Sequence, residues 1–156
     1  MRPFGLGCVA LIGLFQPLAA QDWSAYKPVS FSQAWAGVEI APQGVKPTQS
    51  FETAPQNYKF LVTAAYTGNL RKMAPKRREF VVKWGRSLGA QDFAQHFLDE
   101  IEVRGNGLTV WLALQDALVE PFRRETKPGS PVQLWMMYLG AIGEDRLFLV
   151  NEFQVK

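Results

Sequence analysis

Cysteine and histidine are almost missing from this 156-residue chain, which has one of each, Cys8 and His96. A lone cysteine excludes an internal disulfide, and a lone imidazole without spaced partners matches no usual zinc ligand set. No serine sits in a nucleophile-elbow context, so His96 has no catalytic partner to activate and is expected near a helix end. A long apolar run is missing too: residues 4–15 are uncharged, but they fall short of the roughly 20 residues that cross a bilayer, and Pro17 follows them. Nor is there a phosphate-cradling glycine loop, because Gly105-Asn106-Gly107 fits a tight hairpin reversal. Asp99, Glu100, Glu102, Glu144 and Asp145 lack calcium-loop spacing. Neither a metal nor any other cofactor is expected.

What the N-terminus does have is the layout of a secretory signal over residues 1–20: Arg2, a short apolar core, then Leu18-Ala19-Ala20. Cleavage after Ala20 would remove Cys8 and place the remainder in the periplasm or outside the cell. A lipoprotein signal would need its cysteine at the end of the apolar run, whereas Cys8 lies inside it. An unstapled domain of this size fits a bacterial envelope better than a disulfide-rich secreted module. The formal charge of +3 falls to +2 without Arg2, too near neutral to argue for nucleic acid.

Residues 21–57 read as an arm rich in proline and aromatics. Pro28, Pro42, Pro47 and Pro55 interrupt any long helix, and residues 46–56 are polar and proline-rich. Trp23, Tyr26, Phe31 and Trp35 are too many aromatics for a free tail, so part of the arm should pack on the domain. Ser30 and Gln33 have capping-box spacing for a short helix to about residue 37.

Residues 58–156 are expected to form one domain. Alternation over 58–66 predicts a strand with Phe60, Val62 and Ala64 on one face, stopped by Thr67-Gly68-Asn69. A helix should start near Pro75, with Phe80, Val81, Trp84 and Leu88 on its apolar side, weakened by Gly85 and ended by Gly89. A further turn or two could run over 91–97. Ile101 and Val103 alternate with Glu100, Glu102 and Arg104, so those three are expected in solvent, and residues 108–114 return as the opposing strand. Asp116 can cap a short helix to Arg124, with Pro121 kinking it or separating its first turn. Residues 132–139 are apolar on both faces, hence covered on both, and 147–153 form a last strand after a loop at 141–145.

Strand, helical insertion, hairpin, short helix and two more strands resemble the order of an OB-fold, a small five-stranded Greek-key barrel. The alternative is an α+β antiparallel sheet with both helices on one face. If Val110, Leu112, Leu134 and Met136 point inward, Thr109, Trp111, Trp135 and Met137 lie on the outer face, which is a candidate ligand surface. The opposing possibility is that the arm, or the helix with Trp84, covers that surface as a second core layer. Lys76, Arg77, Arg78, Lys83 and Arg86 crowd one helix whose only acid is Glu79. They form either a solvated helix face or a patch for an anionic partner, membrane surface included. The functional expectation is an envelope protein that binds a peptide, glycan or other envelope protein without catalysis. A carboxylate-dependent hydrolase or glycan-processing enzyme using acids such as Glu100 and Glu102, and a structural homo-oligomer subunit, stand as alternatives.

Overall fold

The computed structural model describes residues 23–36 and 59–156. The export segment, residues 46–56 and Tyr58 lie outside the described residues. The described chain is mostly β, with a six-stranded mixed sheet and three α-helices. The arm contributes a 3₁₀ turn at Trp23–Ala25, strand β1 (Lys27–Pro28) and helix α1 (Phe31–Ala36). Then come β2 (Lys59–Lys72), α2 (Pro75–Ser87), a 3₁₀ turn at Phe93–His96, β3 (Asp99–Gly105) and β4 (Leu108–Leu114). Helix α3 (Asp116–Glu125) leads to the hairpin of β5 (Pro131–Ile142) and β6 (Asp145–Val155).

The sheet order is β1-β2-β3-β4-β6-β5, and β2 also pairs with β5. Strand β2 carries β5 along residues 59–65 and β3 along 65–72, so the sheet returns to the strand it began with. The expected stop at Thr67-Gly68-Asn69 is instead a register shift within one long strand. Gly68 has φ +100, and a Cβ there would lie 2.7 Å from Pro128 Cγ, so only glycine lets the strand bend here and continue onto β3.

Period-two alternation sets the inside. Phe60, Val62, Ala64 and Tyr66 of β2 are buried, as are Ile101 and Val103 of β3 and Leu112 and Leu114 of β4. Val132, Leu134, Met136 and Tyr138 of β5 complete the interior, where a fully buried aliphatic side chain is worth about 1.5–3 kcal/mol. Val110 points the same way but is only partly buried, because β4 leaves the core toward its turn. That turn has Asn106 at φ 50 and Gly107 at φ 80, the positive pair that a two-residue hairpin of matching twist requires.

The two ends are closed by helices. At one, the α1 capping box forms as its spacing predicts: the Ser30 amide donates to Gln33 Oε1 (2.9 Å) and the Gln33 amide to Ser30 Oγ (3.1 Å). Phe31 and Ala34 are buried, and Trp35 stacks on Phe148 at 5.6 Å. At the other, Phe122 of α3 meets Tyr66 and Phe153 edge-on, each at 4.9 Å. Helix α3 runs from Asp116 to Glu125 with Pro121 inside it, so its first turn is not a separate element. Gln115 holds its cap position, while Asp116 Oδ1 turns away to accept from the Leu98 amide (3.2 Å). The loop expected at 141–145 is a tight turn, and β6 extends from Asp145 to Val155.

Candidate functional site

Strand alternation places Thr109, Trp111, Trp135 and Met137 outward, but much of the outer face is a second core. Phe80 and Val81 of α2 and Phe97 beyond it cover Ala113, Leu139, Leu147 and Leu149 of β4, β5 and β6. Met137 packs against this layer and is only partly exposed. Trp111 carries the Arg71 guanidinium 3.8 Å above its ring. Thr109 is exposed near the hairpin tip. Trp135 shares its face of β5 with Met137 two residues on, away from Thr109 and Trp111 of β4, and Trp23 of the arm meets it edge-on at 5.6 Å. The structure therefore does not gather these four into one surface.

The cationic helix divides as well. Lys76, Lys83 and Arg86 are exposed and Arg78 is half-buried, with Lys83 paired to Glu79 at 2.7 Å. Arg77 is a correction: it is 5% exposed and belongs to no solvent-facing patch. Its Nε donates to Glu100 Oε1, Nη1 to Asp145 Oδ1 (2.7 Å) and Nη2 to the Trp111 carbonyl (2.9 Å). Strands β4 and β6 pair only at Ala113↔Leu149 and Leu114↔Val150. Beyond that short seam, the planar guanidinium joins β3, β4 and β6 to α2 where backbone bonds do not. Leu88, expected on the apolar side of α2, is 48% exposed because the helix has ended at Ser87.

Glu100, expected in solvent, is 0% exposed because Arg77 of α2 reaches down to it. Its carboxylate is held between Arg77 and Arg71, whose Nη2 is 3.0 Å from Oε2. Asp99 pairs with Lys72 at 2.9 Å. Glu102 does stay near solvent, accepting from Asn69 Nδ2 and Thr67 Oγ1, each at 2.7 Å. Those two hydrogen bonds, Asn69 first, hold its carboxyl below the usual carboxylate range, with Arg71 adding to the effect. The acids of β3 are thus each committed to a local partner. Among the described residues, no three of His, Cys, Asp and Glu come together to hold a metal ion.

A cleft of about 560 Å³ opens on the opposite side, between the arm, β2, β5 and the β3–β4 turn. Its apolar floor comes from Pro28, Val29, Phe31 and Leu61, and its polar groups are Ser30, Gln33, Thr63, Asn106 and Gln133. None of these side chains carries a charge. The polar groups are oriented by the fold: Gln33 Oε1 is taken by the Ser30 amide, and Asn106 Oδ1 accepts from the Ser32 amide at 3.5 Å. Each amide therefore keeps an NH₂ donor and a second carbonyl lone pair beside the bond it accepts. Gly105 permits the close approach of α1, since a Cβ there would lie 3.0 Å from Phe31 Cβ. Sequence reasoning marked Trp135 but not this cleft, because its groups come from four separated segments. The capping box was the one available signal, and it pointed to a helix start.

No protein-family model matches the chain, and no curated protein matches it either.

Proposed function

We propose that this chain is an exported, non-catalytic binding protein with an OB-like Greek-key barrel, and that its ligand enters the cleft between α1, β2 and β5. Support for the barrel comes from the pairing β2-β3-β4-β6-β5 and back to β2. The β4–β6 pairing is parallel, and α3 joins the third long strand to the fourth. Export rests on the signal pattern of residues 1–20. Among the described residues, no helix is long and apolar enough to cross a membrane.

The observation that carries binding over catalysis is the separation of the paired acids from this cleft. Asp99, Glu100, Glu102 and Asp145 are engaged on the β3 and α2 side, whereas the cleft is lined by amides, hydroxyls and apolar groups. An acid-base hydrolase needs carboxylates converging on its substrate pocket. The test is amide NMR on the chain expressed with its own N-terminus, titrated with peptides and oligosaccharides while the ligands are followed by mass spectrometry. Saturable shifts at Thr63, Asn106 and Gln133 with intact ligand support the reading. Ligand cleavage that Glu100→Gln abolishes would replace it with the hydrolase alternative.

A further inference from the structure

We infer that the cleft is a site for a neutral oligosaccharide, an inference that rests on the binding reading above and narrows it to one ligand class. Three observations converge. First, the side chains lining the cleft are uncharged, so an anionic or cationic ligand would lose hydration there without gaining an ion pair. Second, the polar groups match sugar hydroxyls, which both donate and accept. Beside the one bond each accepts, Gln33 and Asn106 keep an NH₂ donor and a second carbonyl lone pair, while the Thr63 hydroxyl and the Gln133 amide each offer a donor and an acceptor. Third, an aromatic wall adjoins the cleft. Trp135 follows Gln133 on the same face of β5 and pairs across to Leu61 of the cleft floor. Trp23, 38% exposed, stands edge-on to it. Large amphipathic rings of this kind suit the C–H faces of pyranose rings, whose hydroxyl rims would reach the amides.

The backbone argues against an extended peptide. Strand addition needs a run of alternate residues with free N–H and C=O groups along one edge. On this edge of β2, the Leu61 carbonyl already accepts from the Val29 amide at 3.1 Å, and Ala65 pairs with Arg104 of β3. Only Thr63 lies between, so a peptide strand could gain one residue of pairing at most.

The experiment titrates the chain, expressed with its own N-terminus, with cellohexaose, maltohexaose and hexa-N-acetylchitohexaose, each to about 10 mM, where even millimolar affinity registers. An uncharged hexapeptide and hexagalacturonate are the comparison probes. At least one neutral saccharide should shift the Thr63 and Gln133 amides saturably. Gln133→Ala should weaken that binding about 3- to 10-fold at unchanged melting temperature, as loss of a neutral hydrogen bond does. Asn106→Gly, which keeps the positive φ and deletes the amide, should weaken it similarly. A cleft that answers the peptide or the uronate and none of the saccharides overturns the ligand class while leaving the binding reading standing. A cleft silent to all five probes overturns both.

Discussion

Replacing Arg77 with methionine tests whether one side chain closes the weak seam of the sheet. The substitution keeps an unbranched apolar stem under α2 but deletes the guanidinium, which serves Glu100, Asp145 and the Trp111 carbonyl. Glu100 would remain 0% exposed with Arg71 as its cation, and that side chain is itself 42% exposed and solvent-screened. Removing one partner of a buried pair costs about 3–5 kcal/mol, chiefly by stranding the other charge. Arg71 offsets part of this and the freed Trp111 carbonyl adds about 1 kcal/mol, so about 3 kcal/mol is expected. Against a typical total of about 5–15 kcal/mol that is a large share, and it corresponds to a melting drop of about 10 °C or more. Arg78→Met, one position along the same helix, should change stability by no more than about 0.5 kcal/mol. Urea unfolding of both variants, repeated in a Glu100→Gln background, completes the measurement. In that background the Arg77→Met cost should fall to about 1 kcal/mol, since no charge is left stranded. Equal midpoints for Arg77→Met and Arg78→Met, or a cost indifferent to Glu100→Gln, would refute the seam argument.

Three further outcomes follow from the same geometry. Leu112→Asp puts a carboxylate at a fully buried position and should prevent folding, whereas Val110→Asp, partly buried, should be milder and Thr109→Asp nearly neutral; circular-dichroism melts rank the three. Gly68→Ala should cost about 1–3 kcal/mol through its positive φ, and more than Gly89→Ala in chemical denaturation, because Gly68 alone of the two also meets Pro128. Asn69→Ala should raise the Glu102 carboxyl toward the ordinary carboxylate value in a carbon-detected titration. The sign follows from linkage: a depressed folded-state value stabilises above the unfolded value and loses that contribution as pH falls through the folded one. The variant should therefore show a shallower loss of stability on acidification.

The faces of the strands were legible because burial on one side imposes a period of two, and Phe60, Val62, Ile101, Val103, Leu112, Leu134 and Met136 all keep it. Helix α1 was legible because a capping box is a contact between residues three apart. Arg77 and Glu100 were misread for the opposite reason. Alternation assigned Glu100 correctly to the outer face, but outer means solvated only if nothing lies on top. The segment that covers it is α2, whose own charged face was read as exposed because Arg77 sits among cations that are exposed. Two charges 23 residues apart each look solvated alone; together, at one crossing, they bury each other.

That crossing also decides where a ligand can go. An insertion between the first and second long strands brings α2 across β4, β5 and β6, and Phe80 and Val81 consume the apolar surface that the strand pattern offers there. The surface left to recruit is on the far side of β2. There the arm pairs for only two residues, Lys27↔Phe60 and Pro28↔Leu61, before turning into α1. A longer β1 would run past Thr63 toward β3 and fill the gap in the sheet edge. It stops because the Ser30 cap starts a helix directly after the Val29 amide has donated to the Leu61 carbonyl (3.1 Å). The cleft is thus the space between a strand that ends early and a hairpin that begins late, and its polarity comes from the cap and turn residues that end the one and begin the other. Filling it should close it. Thr63→Trp, at an exposed position lining the cleft, should change stability by no more than about 0.5 kcal/mol and abolish the saccharide-dependent shift at Gln133. Undiminished binding in that variant would mean that the ligand sits elsewhere on the molecule.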